Sequence, residues 1–569
     1  MTTAAPPGIR GVLLKTGMLN QEQVLNLLER GSAHGGSILG AAVDEGYAEE
    51  RPFLKSIAET LGMPFVMLSD VQIEQDVLDL LPTRAVFQHE VIPVRMEDNI
   101  LIVATSDPFN TAIVDSIRLA SGRRVKLALS PRDEIAKAAK RFYGVGAETV
   151  DALMQDERID LDAERDSLAK VDLNEQDEEA SIVKFVNQVI WEAHKEKATD
   201  IHFEPMETSL RIRYRVDGVL VATPLPAQLS RFQAAIISRI KVMANMDIAE
   251  KRLPQDGRIG LRIQGQDIDI RVSTMPTVYG ESMSLRLLSR GGDLISLSDL
   301  GMSDRDAEVI MRIIHKPNGI VLVTGPTGSG KSTSLYAYLH EINSTDVRIL
   351  TVEDPIEYEM AGINQVHVRD EIGLTFAHAL RTFLRQDPDV IMVGEIRDFD
   401  TAETAIRAAL TGHLVFSTLH TNDAAGAVTR LVDMGVEPFL VASSLQAIVA
   451  QRLVRRLCFD CRVEGRHDDA YLSSVDFPTG PEINGVVYEA SGCESCRSTG
   501  YRGRTGIYEI LEVTETIEPH IVARDSASVI KGAALREGMR TLRDDGWDKV
   551  LKGRTTIDEV LRVAEEDER

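Results

Sequence analysis

Cysteine is scarce in this 569-residue chain, which has four, and aromatic residues make up only 5%, with two Trp. Four thiols cannot staple a chain of this size, so a disulfide scaffold is excluded. No stretch reaches the roughly 18 uninterrupted apolar residues of a membrane span. The opening segment MTTAAPPGIRGVLLKTG lacks a basic start, a long apolar stretch and a cleavage site, which argues against a signal peptide. These absences predict a cytoplasmic protein whose membrane contact is peripheral. Gly (41) and Pro (21) are too few and too scattered for a collagen-like or low-complexity chain. Positive charge is in the minority: 63 Lys and Arg face 88 Asp and Glu, a net charge of −25. A protein that grips nucleic acid by its phosphates needs a basic surface, so this balance counts against such a partner. What remains is globular, with 43% hydrophobic and 27% charged residues. At about 100–200 residues per domain, several domains are expected.

Composition and periodicity divide the chain. Residues 1–148 read as mixed α/β: two helical hairpins, then strands at His89–Val94 and Asn99–Thr105 and a helix after Asp107-Pro-Phe-Asn. Residues 149–180 are rich in Asp and Glu and nearly free of aromatics, the composition of a mobile acidic linker. About a third of the net charge lies there, so the acidity is partly a property of the linker and says little about the folded surfaces. Residues 181–292 read as α+β. Ser181–His194 has apolar residues at helical spacing, and Gly260–Ser273 has the pattern of a hairpin. Arg211, Arg213 and Arg215 share one face of an alternating strand, as phosphate contacts or as a solvated basic face. Residues 293–456 alternate apolar strands with helices, which implies a parallel sheet. Residues 457–502 hold all four Cys, and 503–569 read as a helical C-terminal domain.

The strongest chemistry begins at Gly319. An apolar strand runs into Gly325-Pro-Thr-Gly-Ser-Gly330-Lys331-Ser332-Thr333, which fits the P-loop pattern with the required strand before and helix after. Gly325, Pro326, Thr327, Gly328, Ser329, Gly330, Lys331, Ser332 and Thr333 are therefore the expected nucleotide-binding residues. Backbone N–H groups and the helix N-terminus suit phosphates. Lys331 is expected at the β- and γ-phosphates, and Ser332 at Mg²⁺. Two carboxylate segments follow at strand ends, Glu353-Asp-Pro-Ile-Glu357 and Val393-Gly-Glu395. Strand C-termini in such sheets line the ligand crevice. There a carboxylate can hold Mg²⁺ or orient the attacking water. His413 and His420 flank a further strand. Beside Thr411, Ser417 and Thr418 they are candidates for sensing the γ-phosphate, though a lone His is more often structural. No third ligand at metal spacing accompanies them.

The four Cys form two C-x-x-C pairs, Cys458/Cys461 and Cys493/Cys496. Four thiolates suit tetrahedral Zn²⁺, and the long gap requires the two turns to meet through an intervening lobe. Free thiols or redox pairs are the other readings, and no βαβ context supports redox chemistry. Arg455, Arg456, Arg462 and Arg466 lie beside the first pair, as solvated charge or as contacts to a partner or acidic lipid.

With the P-loop, the Glu353–Glu357 and Val393–Asp398 segments, and Thr411-Gly-His413 with His420, the chain resembles the secretion ATPase superfamily of type II secretion and type IV pilus assembly. These segments match its Walker A, Asp box, Walker B and His box. The likeness extends to Leu253–Ile259, Asp269–Thr274 and Gly503–Ile510. It covers residues 180–569 strongly and the N-terminal third weakly. It implies a RecA-like core preceded by a PAS-like domain, and a homo-hexamer with ATP held between those domains. It implies Glu357 as catalytic base, Glu395 as Walker B carboxylate, and Arg258 and Arg271 as arginines supplied from the preceding domain. A tetracysteine zinc lobe fits the extension branch of the family. The function implied is ATP hydrolysis driving an inner-membrane platform protein, with a cytoplasmic docking protein holding the motor at the membrane. Type II secretion is the first reading, and type IV pilus assembly is the alternative. A nucleic-acid translocase is the competing class, disfavoured by charge and by the want of a basic, aromatic stripe. Some relatives bind cyclic di-GMP through paired Arg-Leu-Gly-x-x-Leu repeats. Here the corresponding stretches begin Gly8-Ile-Arg10-Gly and Ser37-Ile-Leu-Gly, with the Arg displaced in one and missing in the other, so no such binding is expected.

Overall fold

In the computed structural model the chain forms two compact units, residues 1–288 and 289–569. The structure describes residues 7–34, 37–144, 171–172, 181–263, 265–289, 296–478, 487–493 and 495–564. The acidic segment 149–180 lies outside the described residues, apart from Val171 and Asp172.

The first unit opens with four helices, Pro7–Lys15, Gln21–His34, Ile38–Asp44 and Glu50–Leu61, around a core of Leu13, Leu27, Phe53 and Ile57. Three strands follow: β1 (Val91–Glu97), antiparallel to β2 (Ile100–Thr105), itself parallel to β3 (Arg124–Leu129). A second sheet has seven strands: β4 (Val171–Asp172), β5 (Asp200–Pro205), β6 (Leu210–Val216), β7 (Val219–Ala222), β8 (Gln255–Ile263), β9 (Gln266–Thr277) and β10 (Gly280–Ser289), in the order β4-β8-β9-β10-β5-β6-β7. Ile259, Leu261, Ile268 and Ile270 point inward onto the helices Ser181–Lys195 and Gln233–Met243, while the alternate positions face out. This period-2 pattern is that of a sheet covered on one face. It places Arg258 and Arg271 directly opposite one another on the outer face of the β8–β9 hairpin.

The second unit is built on β11 (Gly319–Thr324), β12 (Ile349–Glu353), β13 (Asn364–His367), β14 (Val390–Val393), β15 (Leu414–Leu419), β16 (Leu445–Leu457) and, after two short strands β17 (Val463–Glu464) and β18 (Tyr488–Glu489), β19 (Tyr501–Glu512). The seven-stranded sheet has the order β13-β12-β14-β15-β11-β16-β19. It is parallel except for the antiparallel β16–β19 pair. Every residue of β11 is buried. Ile320 and Leu322 enter one core and Val321 and Val323 the other, as a strand covered by helices on both faces requires. β15 stands between β11 and β14, the RecA-like arrangement. The segment after residue 503, expected to be helical, begins as strand β19 at the sheet edge and turns helical only from Glu518–Val522 onward. Its run Ile507-Tyr-Glu-Ile-Leu-Glu512 pairs with β16 from Arg452 back to Ala447. The cysteine lobe leaves the sheet between these two partners, at the facing pair Leu457 and Tyr501.

Candidate active site

The P-loop joins β11 to the helix Lys331–Ile342. Its backbone is one only Gly accommodates. Gly325 has φ 150°, and a Cβ there would lie 2.6 Å from the Gln451 carbonyl oxygen. Gly330 caps the helix at φ 89°, where a Cβ would meet Gln451 Nε2 at 2.8 Å. The bare N–H groups of a helix start therefore face the loop, a cradle for anions. Lys331 Nζ donates to the carbonyls of Gly325 (2.9 Å) and Pro326 (3.2 Å). Burial lowers its pKa to about 8, Glu395 opposes this, and Arg452 adds to it.

Two residues that motif reading missed stand behind this loop on β16, and the first of them bonds to it. Gln451, 1% exposed, donates from Nε2 to the Ser329 carbonyl (2.8 Å) and accepts the Ser334 hydroxyl at Oε1 (2.8 Å). Arg452 donates to the carbonyls of Gln451 (3.1 Å) and Asn422 (2.8 Å). Thr324, which ends β11, accepts the Thr421 N–H at 2.9 Å and so ties the loop to the end of β15.

Glu395 follows β14 and is contacted by Arg397, with His420 Nε2 at 3.4 Å. Lys331, Ser332, Glu395 and His420 thus stand at one edge of the sheet, the C-terminal ends of its parallel strands. His413 does not join them. Its carbonyl accepts the N–H of Gly319, the first residue of β11, and its Nδ1 donates to the Ala408 carbonyl at 2.9 Å. The six residues of β15 separate it from His420, about 20 Å at ~3.3 Å per residue. The expectation of two histidines at the nucleotide edge is corrected to one: His413 precedes the strand and so falls at the opposite edge. Glu357 lies in the loop after β12, where its backbone N–H donates to the Tyr336 hydroxyl at 3.1 Å. Arg258 is exposed and Arg271 half-buried on the first unit's sheet. Arg211 and Arg213 both pair with Glu204, and Arg215 with Asp200, so each arginine of the basic strand face has an acidic partner within its own sheet.

The four Cys sulfurs lie within 4.8 Å of one another. A sulfur tetrahedron around Zn²⁺ at about 2.3 Å has an edge of about 3.8 Å. Three of the separations are Cys458–Cys493 at 3.8 Å, Cys461–Cys496 at 3.7 Å and Cys493–Cys496 at 3.8 Å. Backbone N–H groups point at sulfur as they do at thiolates: Gly492 at Cys461 (3.3 Å), Cys493 and Gly500 at Cys496 (3.1 and 3.2 Å). Burial raises the Cys496 thiol, but these last two donors, together with the Cys461 and Cys493 side chains, more than reverse that and hold it at about 6. Two of the nearby arginines turn inward, while Arg456 and Arg466 are exposed. Arg462 lies over the rings of Phe459 and Tyr488 and donates to the Gly553 carbonyl at 2.5 Å. Arg455 pairs with Glu559 at 2.6 Å.

A P-loop on a RecA-like sheet, with a carboxylate at the end of the second strand over, defines an ATP hydrolase. Comparison with known proteins narrows this. The family model described as type II/IV secretion system protein matches residues 175–562, and an MshEN domain model matches residues 61–149. The chain belongs to the type II/IV secretion system protein family. It is 40% identical over 553 residues to the type IV pilus assembly ATPase PilB of Myxococcus xanthus, covering 97% of each chain. It is 43% identical over 525 residues to type II secretion system protein E of Xanthomonas campestris pv. campestris, covering 92% of each. It is 50% identical over 395 residues to the type II secretion system ATPase E of Vibrio cholerae serotype O1, covering 69% of this chain and 78% of that one. Among the described residues no helix is long and apolar enough to cross a membrane.

Proposed function

We propose that the protein is the hexameric cytoplasmic motor of a type II secretion machine. It would stand at the inner membrane through a docking protein and turn ATP hydrolysis into movement of a membrane platform protein. The observation that carries this reading is near full-length similarity to secretion system protein E, together with a P-loop whose Lys, first helical turn and facing Glu395 are in place. The second reading, a type IV pilus assembly motor, is favoured by the 97% mutual coverage with PilB. In either, the P-loop N–H groups and Lys331 hold the phosphates, and Ser332 and Glu395 would hold Mg²⁺, which would supply positive charge against the transferred phosphoryl group. Glu357 takes the proton of the attacking water, and His420 lies where it can report on the γ-phosphate through Glu395. The cysteine tetrad holds structural Zn²⁺, the fit being its edge lengths and N–H···S donors.

The test is made in the host. Lys331→Ala should abolish turnover. Glu395→Gln should bind ATP and hydrolyse it at least ~100-fold more slowly. Either variant should halt release of proteins to the medium while surface pili remain. Loss of pili with normal release would shift the assignment to pilus assembly, and ATPase stimulation by DNA would reopen the translocase class.

A further inference from the structure

One buried carboxylate at the site has no part in the chemistry above. Glu353 ends β12 and is 4% exposed. Its Oε1 accepts from Thr351 Oγ1 at 2.7 Å and from Gln365 Nε2 at 3.1 Å, and its Oε2 accepts from the Tyr336 hydroxyl. Burial pushes its pKa up, against these donors and with the Glu357 charge adding to the rise. The Tyr336 hydroxyl in turn accepts the backbone N–H of Glu357 at 3.1 Å. Gln365 grips the same loop from the other side. Its Nε2 donates to the Tyr358 carbonyl (2.9 Å), and its Oε1 accepts the Met360 N–H (2.8 Å). The Tyr336 and Tyr358 rings meet edge to face, 5.6 Å between centroids. The loop bearing Glu357 is therefore held by three elements: the P-loop helix through Tyr336, β12 through Glu353, and β13 through Gln365.

We infer that Tyr336, Glu353 and Gln365 form a positioning clamp that sets Glu357 relative to the P-loop. This rests on the reading of Glu357 as the base. A hydroxyl has one hydrogen to give. With that hydrogen on Glu353, the oxygen lone pair is turned to the Glu357 N–H, so the carboxylate's protection from water orients the loop. Tyr336 is five residues from Lys331 on one helix, an axial distance of about 7.5 Å. The phosphate-binding lysine and the base are thus referred to the same rigid rod. A misplacement of ~1 Å at such a site can lower rate ~10²-fold.

Tyr336→Phe keeps the ring contact and removes only the oxygen. Measured on the full-length protein with Mg²⁺ and ATP, kcat should fall ~10–100-fold while KM stays within about twofold. Glu357→Gln should be slow as well, and the Tyr336→Phe/Glu357→Gln double variant should be no slower than Glu357→Gln alone. Gln365→Ala should repeat this pattern, which keeps the test open should Tyr336→Phe fold poorly. Wild-type kcat in Tyr336→Phe, or a further multiplicative loss in the double variant, overturns the clamp while leaving Glu357 as base. Wild-type turnover in Glu357→Gln removes the base and the clamp with it. A KM rise matching the whole loss of kcat/KM also overturns the clamp, because it places Tyr336 in ATP binding.

Discussion

Replacing Gln451 by Met leaves a side chain of similar length and shape but takes away both polar ends. The Ser329 carbonyl and the Ser334 hydroxyl then lose partners at 2.8 Å in a site where both residues are buried. The hydroxyl can turn to the Gly330 carbonyl one helical turn back, so its loss is an ordinary net hydrogen bond of ~1 kcal/mol. The carbonyl has no such recourse, and an orphaned buried acceptor costs about 1–3 kcal/mol. The total of about 2–4 kcal/mol can be expressed in two ways. If the P-loop stays docked, the folded state carries the whole penalty, and melting should fall by about 4–8 °C for a unit of this size. If the loop loosens instead, ATP must re-form it, and affinity falls by the fraction of molecules with the loop in place, up to ~10³-fold. Melting curves and ATP titration on one preparation measure both. Their combined free energy should come to about 2–4 kcal/mol. A Gln451→Met protein with unchanged melting temperature and unchanged ATP affinity would refute the argument that β16 holds the loop.

Elemental analysis should find one Zn²⁺ per chain. Cys493→Ser should lose it and melt at least ~5 °C lower, because thiolate ligation couples metal binding to folding; unchanged melting would sink the zinc assignment. Lys331 titrates at about 8 in the folded protein against a usual 10.5. Between those values the unfolded chain binds more protons, so this group makes stability rise with pH from about 8 to about 10.5 and leaves its full penalty below 8. A triphosphate favours the charged form. ATP binding near pH 8 should therefore take up protons, read by calorimetry in buffers of different ionisation heat; the same uptake in Lys331→Arg would show that Lys331 is not its source. Arg258→Ala and Arg271→Ala should fold and bind ATP yet turn over at least ~10-fold more slowly. Wild-type rates in both would refute the arginine assignment, and lower melting with full activity would mean that they only brace the β8–β9 hairpin.

The phosphate cradle was legible because it depends on residues close in sequence whose backbone acts on one ligand, and the cysteine tetrad because each C-x-x-C half is local and the chain holds no other Cys. Glu395 was legible because a strand's C-terminal end faces the crevice of a parallel sheet. The same rule, applied to His413, places it at the far edge, since it precedes its strand; pairing it with His420 by spacing overrode that signal. Gln451 and Arg452 were not legible. They meet the P-loop across more than a hundred residues, through strand pairing that no local pattern encodes. Tyr336 and Gln365 belong to no motif, and only the packing of the P-loop helix and β13 against β12 brings them onto one carboxylate. β19 hides a strand in a stretch whose surroundings are helical, although its β-branched and aromatic run was the available clue.

Leu457 and Tyr501 face each other across the β16–β19 ladder. Facing Cα atoms in such a ladder are only about 4.5–5.5 Å apart, a gap that a two-residue turn closes. As far as strand order is concerned, the cysteine lobe is an appendage threaded into the tip of a hairpin, with Phe477 and Val487 sharing a core with Val454 and Ile507 of the two strands. The C-terminal helices are less indifferent. Arg462 reaches from the lobe to the carbonyl of Gly553, just past the helix Leu542–Leu551, and on β16 Arg455 grips Glu559 on the helix Ile557–Val563. With Phe477 packed edge to face on Trp547, the lobe thus works as the brace that seats those last helices against the outer strands of the nucleotide sheet.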